Sequence, residues 1–143
     1  MRIQVSNYLL IVVFCLALAA CQKKTFVSEE IRILLQSRAH QVDMRSVANF
    51  MWDDMFVFGP YTPKDRICQT LNHSASKCSY EGIRNVDESE FLMVFLHGAS
   101  VTRVESLSRM VGDFDNNCLN KDLKRDRAVL SVERRPRVYL ECR

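Results

Sequence analysis

Thirteen consecutive apolar residues, Tyr8 to Ala20, divide this 143-residue chain into two parts that cannot share one fold. As a helix such a run is roughly 20 Å long, short of the ~30 Å hydrocarbon core of a bilayer. With Arg2 ahead of it, the run has the length and charge order of the apolar region of a secretory signal. The chain is 48% apolar, and 16 of those residues fall in the first 20 positions. The 123 residues that remain are ordinary in composition, enough for one domain with its own core and too few for a multidomain enzyme. Aromatic residues are spread along this body and no stretch is low-complexity, which excludes wholesale disorder.

The apolar run ends in Leu18-Ala19-Ala20-Cys21. This segment resembles the signal peptides of bacterial lipoproteins. The resemblance implies a diacylglycerol on the Cys21 thiol, cleavage just before it and acylation of the new amine. Gln22 stands where an Asp would hold the protein at the inner membrane, which implies the periplasmic face of the outer membrane. The division expected is then a cleaved signal at 1–20, a lipidated Cys21 with a short tether at 21–27, and one periplasmic domain at 28–143. An ordinary secretory signal cut after Ala20 is the alternative. Several acyl chains anchor stably where one binds marginally.

Cys15 leaves with the leader and Cys21 takes the lipid, so Cys68, Cys78, Cys118 and Cys142 remain. Four cysteines in an oxidising compartment read as two disulfides, with three possible pairings. The pairing favoured is Cys68 with Cys78, closing a local loop, and Cys118 with Cys142, pinning the C-terminal strand. There is no CxxC pair, and redox catalysis, a cofactor and a metal site are not expected.

Ser28 followed by Glu29 and Glu30 predicts a helix start, and Ile31, Leu34, Leu35 and Val42 carry the apolar face to about residue 44. Met55 to Phe58 reads as a strand stopped by Gly59-Pro60. Thr62-Pro63-Lys64-Asp65 opens a short second helix with Ile67 and Leu71 four apart. Glu90 to His97 is the most hydrophobic stretch of the body and predicts a central strand covered on both sides. Gly98-Ala99 turns it into a strand from Ser100 to Leu107, and further strands follow at 127–133 and 137–142. With no second βα repeat, the expected class is α+β: two helices on one face of a four- to five-stranded antiparallel sheet.

Chemistry is sparse. His40, His73 and His97 are the candidate neutral-pH bases, and His97 reads as a strand cap. Asp53-Asp54 and Asp113-Phe114-Asp115 are paired acids suited to a cation or to glycoside chemistry. The stretch Asp113 to Asn117 lacks the Gly and distal Glu of a calcium loop and reads as a polar turn. No nucleophile elbow, zinc-protease motif or phosphate loop is present, and no catalytic set assembles. Residues 119 to 143 carry eight Lys or Arg against four acids. That basic end, with Arg134, Arg135 and Arg137 clustered, is either a solvated strand face or a surface for an acidic partner or lipid phosphates. Nucleic acid is excluded by compartment.

The segment Trp52 to Thr62 (WDDMFVFGPYT) resembles one in small bacterial lipoproteins that carry W-D-x-x-[YF]-x-F-G-P-Y-T before a short helix. A later Gly112-Asp113-Phe114 matches that group as well. The resemblance brings no catalytic residues. Trp52 and Tyr61 are either core residues of this corner or exposed binding anchors. The functional expectation is a lipid-anchored, non-enzymatic binding protein of the periplasm, an immunity protein or inhibitor that neutralises an effector or hydrolase by protein contact. The alternative is an accessory lipoprotein of outer-membrane assembly or envelope maintenance, loosely echoed by Thr62, Ile67 and Leu71. A small envelope hydrolase built on His97 and the acids comes third.

Overall fold

The structure, a computed structural model, describes residues 26–72 and 78–142. The leader, Cys21 and His73 lie outside the described residues. The fold is α+β, as expected, but the strands among the described residues number eight and divide between two four-stranded sheets.

Helix α1 (Val27–Gln36) buries Val27, Ile31 and Leu35, spaced four apart along one face. It begins one residue before Ser28, with Phe26 at the cap position, and Ser28 donates its backbone N–H to Glu105 Oε2 at 3.2 Å. That carboxylate sits at the positive end of the helix, where a negative charge is favoured. The helix stops well short of residue 44 because Arg38 turns left-handed at φ 60° and Ala39 N–H closes on Leu34 O. Val42 is buried as foreseen, but in strand β1 (Gln41–Asp43), not on a helix. A single turn, α2 (Met44–Val47), follows, and Asp43 caps it by accepting the Arg45 N–H.

Strand β2 (Asp54–Phe58) leads through Gly59-Pro60 to α3 (Lys64–Thr70). Helix α3 starts one residue later than expected, with Pro63 at the cap. The Thr62 hydroxyl bonds back to Gly59 O, and the Lys64 N–H is satisfied from a distance by Asn85 Oδ1. Strand β3 (Glu90–His97) then turns over Gly98-Ala99 into β4 (Ser100–Ser108). Gly98 takes φ 56° at the first central position of this two-residue hairpin, where glycine carries no steric penalty. A register shift between Phe95 and Leu96 leaves Thr102 as the extra residue of β4. The chain ends with β5 (Asp113–Phe114), β6 (Asp122–Lys124), β7 (Val129–Arg134) and β8 (Val138–Cys142).

One sheet runs β4-β3-β2-β6 and is antiparallel throughout; the other runs β1-β7-β8-β5, with β5 parallel to β8. Alternation along β3 serves two cores at once. Phe91, Met93 and Phe95 face the first sheet's partner layer, with Val42, Leu130, Leu140 and α1. Leu92, Val94 and Leu96 face α3, with Ile67, Leu71, Ile83 and Val86. The expected central strand is therefore covered on both faces, by a sheet on one side and a helix on the other. Cys68–Cys78 ties α3 to the segment that begins at residue 78, and Cys118–Cys142 ties β8 to a 3-10 turn at Asn116–Cys118. Both favoured pairings are thus the observed ones. No helix among the described residues is long and apolar enough to cross a membrane.

Candidate functional site

Trp52 is a core residue. It is 1% exposed, donates its indole N–H to Ala48 O at 3.0 Å and meets Phe95 edge-on with centroids 5.5 Å apart. The anchor reading of Trp52 is therefore corrected: its whole ring is spent inside the domain. Tyr61, nine residues on, goes the other way, being 72% exposed. Its backbone is left-handed at φ 62°, a conformation that costs a non-glycine residue about 1 kcal/mol. The backbone is held there from both sides, Tyr61 N–H to Val86 O and Thr62 N–H to Gly59 O.

Three further segments line a cleft together with the Tyr61 side chain. Before β3, Glu88 Oε2 accepts the Tyr61 hydroxyl at 2.5 Å, which pushes the phenol's pKa upward. Between β4 and β5, Arg109 and Met110 project from a turn fixed by Arg109 N–H to Ser89 O and Val111 N–H to Ser108 O. Between β7 and β8, Arg137 follows Pro136 at the tip of a hairpin closed by Arg135 N–H to Arg137 O. Together Tyr61, Glu88, Ser89, Arg109, Met110 and Arg137 line a cleft of about 290 Å3. Met110 is 97% exposed, unusual for so large an apolar side chain.

Asp113 organises this surface from below. It is 5% exposed, at the first position of β5, and accepts two bonds from Arg109, Nε to Oδ1 at 2.8 Å and Nη2 to Oδ2 at 3.2 Å. Arg137 Nη1 approaches the same Oδ2 at 3.5 Å. Hydrogen bonding from Arg109 holds the Asp113 carboxyl below the usual carboxylate range, with Arg137 adding to it. Gly112 lets the turn lie close, since a Cβ there would meet Leu35 Cδ1 at 3.3 Å and Val138 O at 3.5 Å. We expect Asp113→Asn to cost about 2 kcal/mol at neutral pH by leaving the Arg109 fork half-paired. Because the folded carboxyl has a depressed pKa, its contribution is present above pH ~4 and is lost as pH falls through the folded value. Urea denaturation of both proteins across pH 2 to 7 should therefore show their difference shrinking at the acid end.

The remaining sequence candidates are distributed differently. Arg134 is not a free binding cation: it donates to Leu35 O and Ala39 O, both at 3.1 Å, and so caps the C-terminal end of α1. Arg135 is exposed and reaches Glu141 Oε1 at 3.5 Å. His97 Nδ1 lies 2.9 Å from Asp53 Oδ2, and the same oxygen accepts the Gly98 N–H at 2.8 Å. The Gly98 amide first, then His97, keeps the Asp53 carboxyl below its ordinary range. Asp54 pairs with Lys124, and Asp115 caps its own 3-10 turn through the Asn117 N–H. His97 thus meets Asp53, while Asp113 meets Arg109 and Arg137. Among the described residues no three of His, Cys, Asp and Glu converge as a metal site.

Arg109, Met110 and Glu88 carry much of the cleft and were not singled out in the sequence. The available signal was a large apolar residue, Met110, beside Arg109 in the turn before Gly112-Asp113-Phe114. No family model, curated protein or solved structure matches this chain.

Proposed function

We propose that this chain is a lipid-anchored periplasmic binding protein that occupies a protein partner, in the manner of an immunity protein or inhibitor of an effector or hydrolase. The observation that carries the reading is the convergence of two exposed large side chains, Tyr61 and Met110, on a cleft edged by arginines. Tyr, Met and Arg are the residue types enriched at protein interfaces. The backbone under Tyr61 and the Asp113 hub under Arg109 hold the contact groups in place before any partner arrives, which lowers the ordering cost of binding. The anchor rests on Leu18-Ala19-Ala20-Cys21.

A photo-crosslinking residue in place of Met110, irradiated in intact envelopes, should give one discrete protein adduct. The same probe at exposed Gln69 on α3 should not. An adduct with an effector or hydrolase supports neutralisation, and one with a resident envelope component moves the reading to an accessory role. Equal labelling at both positions, or none, defeats the binding reading. Separately, Cys21→Ser should abolish incorporation of labelled palmitate and shift the protein from the membrane to the soluble periplasmic fraction. A variant that stays membrane-bound, beside a wild type that takes up no palmitate, would remove the lipid anchor while leaving the Tyr61–Met110 surface in place.

A further inference from the structure

Next to the Tyr61 cleft, the turn at 109–112 and the hairpin tip at 134–138 enclose a second groove of about 480 Å3. Four arginines line it, Arg109, Arg134, Arg135 and Arg137, and among the described residues no acidic side chain does. Their commitments differ. Arg134 is spent on the α1 carbonyls, and Arg109 is held by two bonds to Asp113. Arg135 and Arg137 each touch a carboxylate at 3.5 Å, too long for a good charge-assisted bond, and their side chains are about two-thirds exposed. The groove therefore holds four cations against two contacting acids, and two of its guanidinium groups keep unused donors. Its floor is apolar, from Val111, Gly112 and Val138, and Met110 stands at its rim.

Resting on the binding-protein reading above, we propose that the partner presents an acidic segment here, its carboxylates paired by Arg135 and Arg137 while an adjacent apolar side chain packs on Met110. A planar guanidinium donates two parallel bonds to a carboxylate, so an incoming carboxylate gains contacts that Glu141 and Asp113 do not supply at 3.5 Å. The Glu88 side of the Tyr61 cleft is unsuited to that charge, which fixes the polarity of the partner: acidic toward the hairpin, apolar or donor-bearing toward Tyr61. Binding of this kind is steered electrostatically and weakens with salt.

The test uses the mature full chain in detergent micelles, with the 13C-methyl signal of Met110 as reporter. The probes are a short peptide alternating glutamate and leucine, its lysine-for-glutamate counterpart, and phosphatidylglycerol vesicles. We expect the glutamate peptide alone to shift the signal saturably. Arg135→Glu with Arg137→Glu should weaken it about tenfold, and raising NaCl from about 50 to about 500 mM should weaken it similarly. Replacing both arginines by lysine should restore part of the loss. Equal response to both peptides, no response to either, or a response to vesicles alone overturns the acidic-segment proposal. A Met110 crosslink in envelopes that survives the double charge reversal overturns it too, yet leaves the binding-protein reading standing.

Discussion

Trp52→Ala should lower the unfolding free energy by about 4 kcal/mol, the usual cost of deleting a buried indole without refilling its space. The ring is closed in on every side: Phe95 edge-on, Arg125 Cζ 5.5 Å above the ring centre, and the Ala48 carbonyl on its N–H. Truncation leaves a cavity in the first core, and that cavity is the penalty, because the Ala48 carbonyl keeps its bond from the Phe50 N–H at 2.9 Å. Against a total of roughly 5–15 kcal/mol, such a loss brings the domain near its threshold, a fall of the order of 10–20 °C in Tm. Tyr61→Ala, in the same sequence segment, should change stability by no more than about 0.5 kcal/mol, because its side chain is largely exposed and its one hydrogen bond is to a surface carboxylate. Thermal unfolding followed by circular dichroism measures both. Equal costs at the two positions would falsify the assignment of one aromatic to the core and the other to the surface.

That contrast also marks how far the sequence could be read. A continuous apolar run specified β3 and its hairpin, because Glu90 to His97 is apolar at every interior position and Gly98 supplies the backbone conformation the two-residue turn requires. The disulfide pairing was readable as a preference because short loops close easily and Cys142 lies at the end of a strand-like stretch. What local pattern could not show was where the strands go. Val42 suits a buried position whether it continues a helix or lies in β1, and the choice was made by Arg38 turning left-handed and by β7 offering a partner for Gln41 to Asp43. The short strands β5 and β6 carry almost no pattern of their own and exist because β8 and β2 pair with them.

The candidate site was legible in part for the same reason. Tyr61, Arg135 and Arg137 stood out by type and clustering, and the structure brings Tyr61 and Arg137 to one cleft across more than seventy residues of chain. Arg134 looked identical to its neighbours in sequence, yet one side chain points to the α1 terminus and becomes structural. Arg109 and Met110 gained their place only when Asp113 was buried beneath their turn, a consequence of β5 adding parallel to β8. A charge pattern identifies candidates; the closure of the second sheet decides which of them face solvent.

Removing the Cys118–Cys142 bridge should cost about 3.5 kcal/mol, and removing Cys68–Cys78 about 0.7 kcal/mol less, if loop entropy sets both. The bridged residues are 24 and 10 apart in sequence, and the longer loop restrains more of the unfolded chain. Local structure pulls in opposite directions. Asn117 already clamps the end of β8 through Nδ2 to Cys142 O and Oδ1 to Cys142 N, so part of the native arrangement survives loss of the 118–142 bridge. Cys68 sits buried among Ile67, Leu71 and Val86, and a polar serine there is left in an apolar layer, whereas a serine at the also buried Cys118 can donate to Leu140 O, 3.4 Å from the sulfur. Urea denaturation of Cys118→Ser/Cys142→Ser and Cys68→Ser/Cys78→Ser separates the two effects. A larger loss for the first pair means that chain entropy dominates; a larger loss for the second means that packing of α3 on the β3 sheet does. Amide exchange adds the local check, for residues 138–142 should lose protection in the first variant while Leu92, Val94 and Leu96 keep theirs.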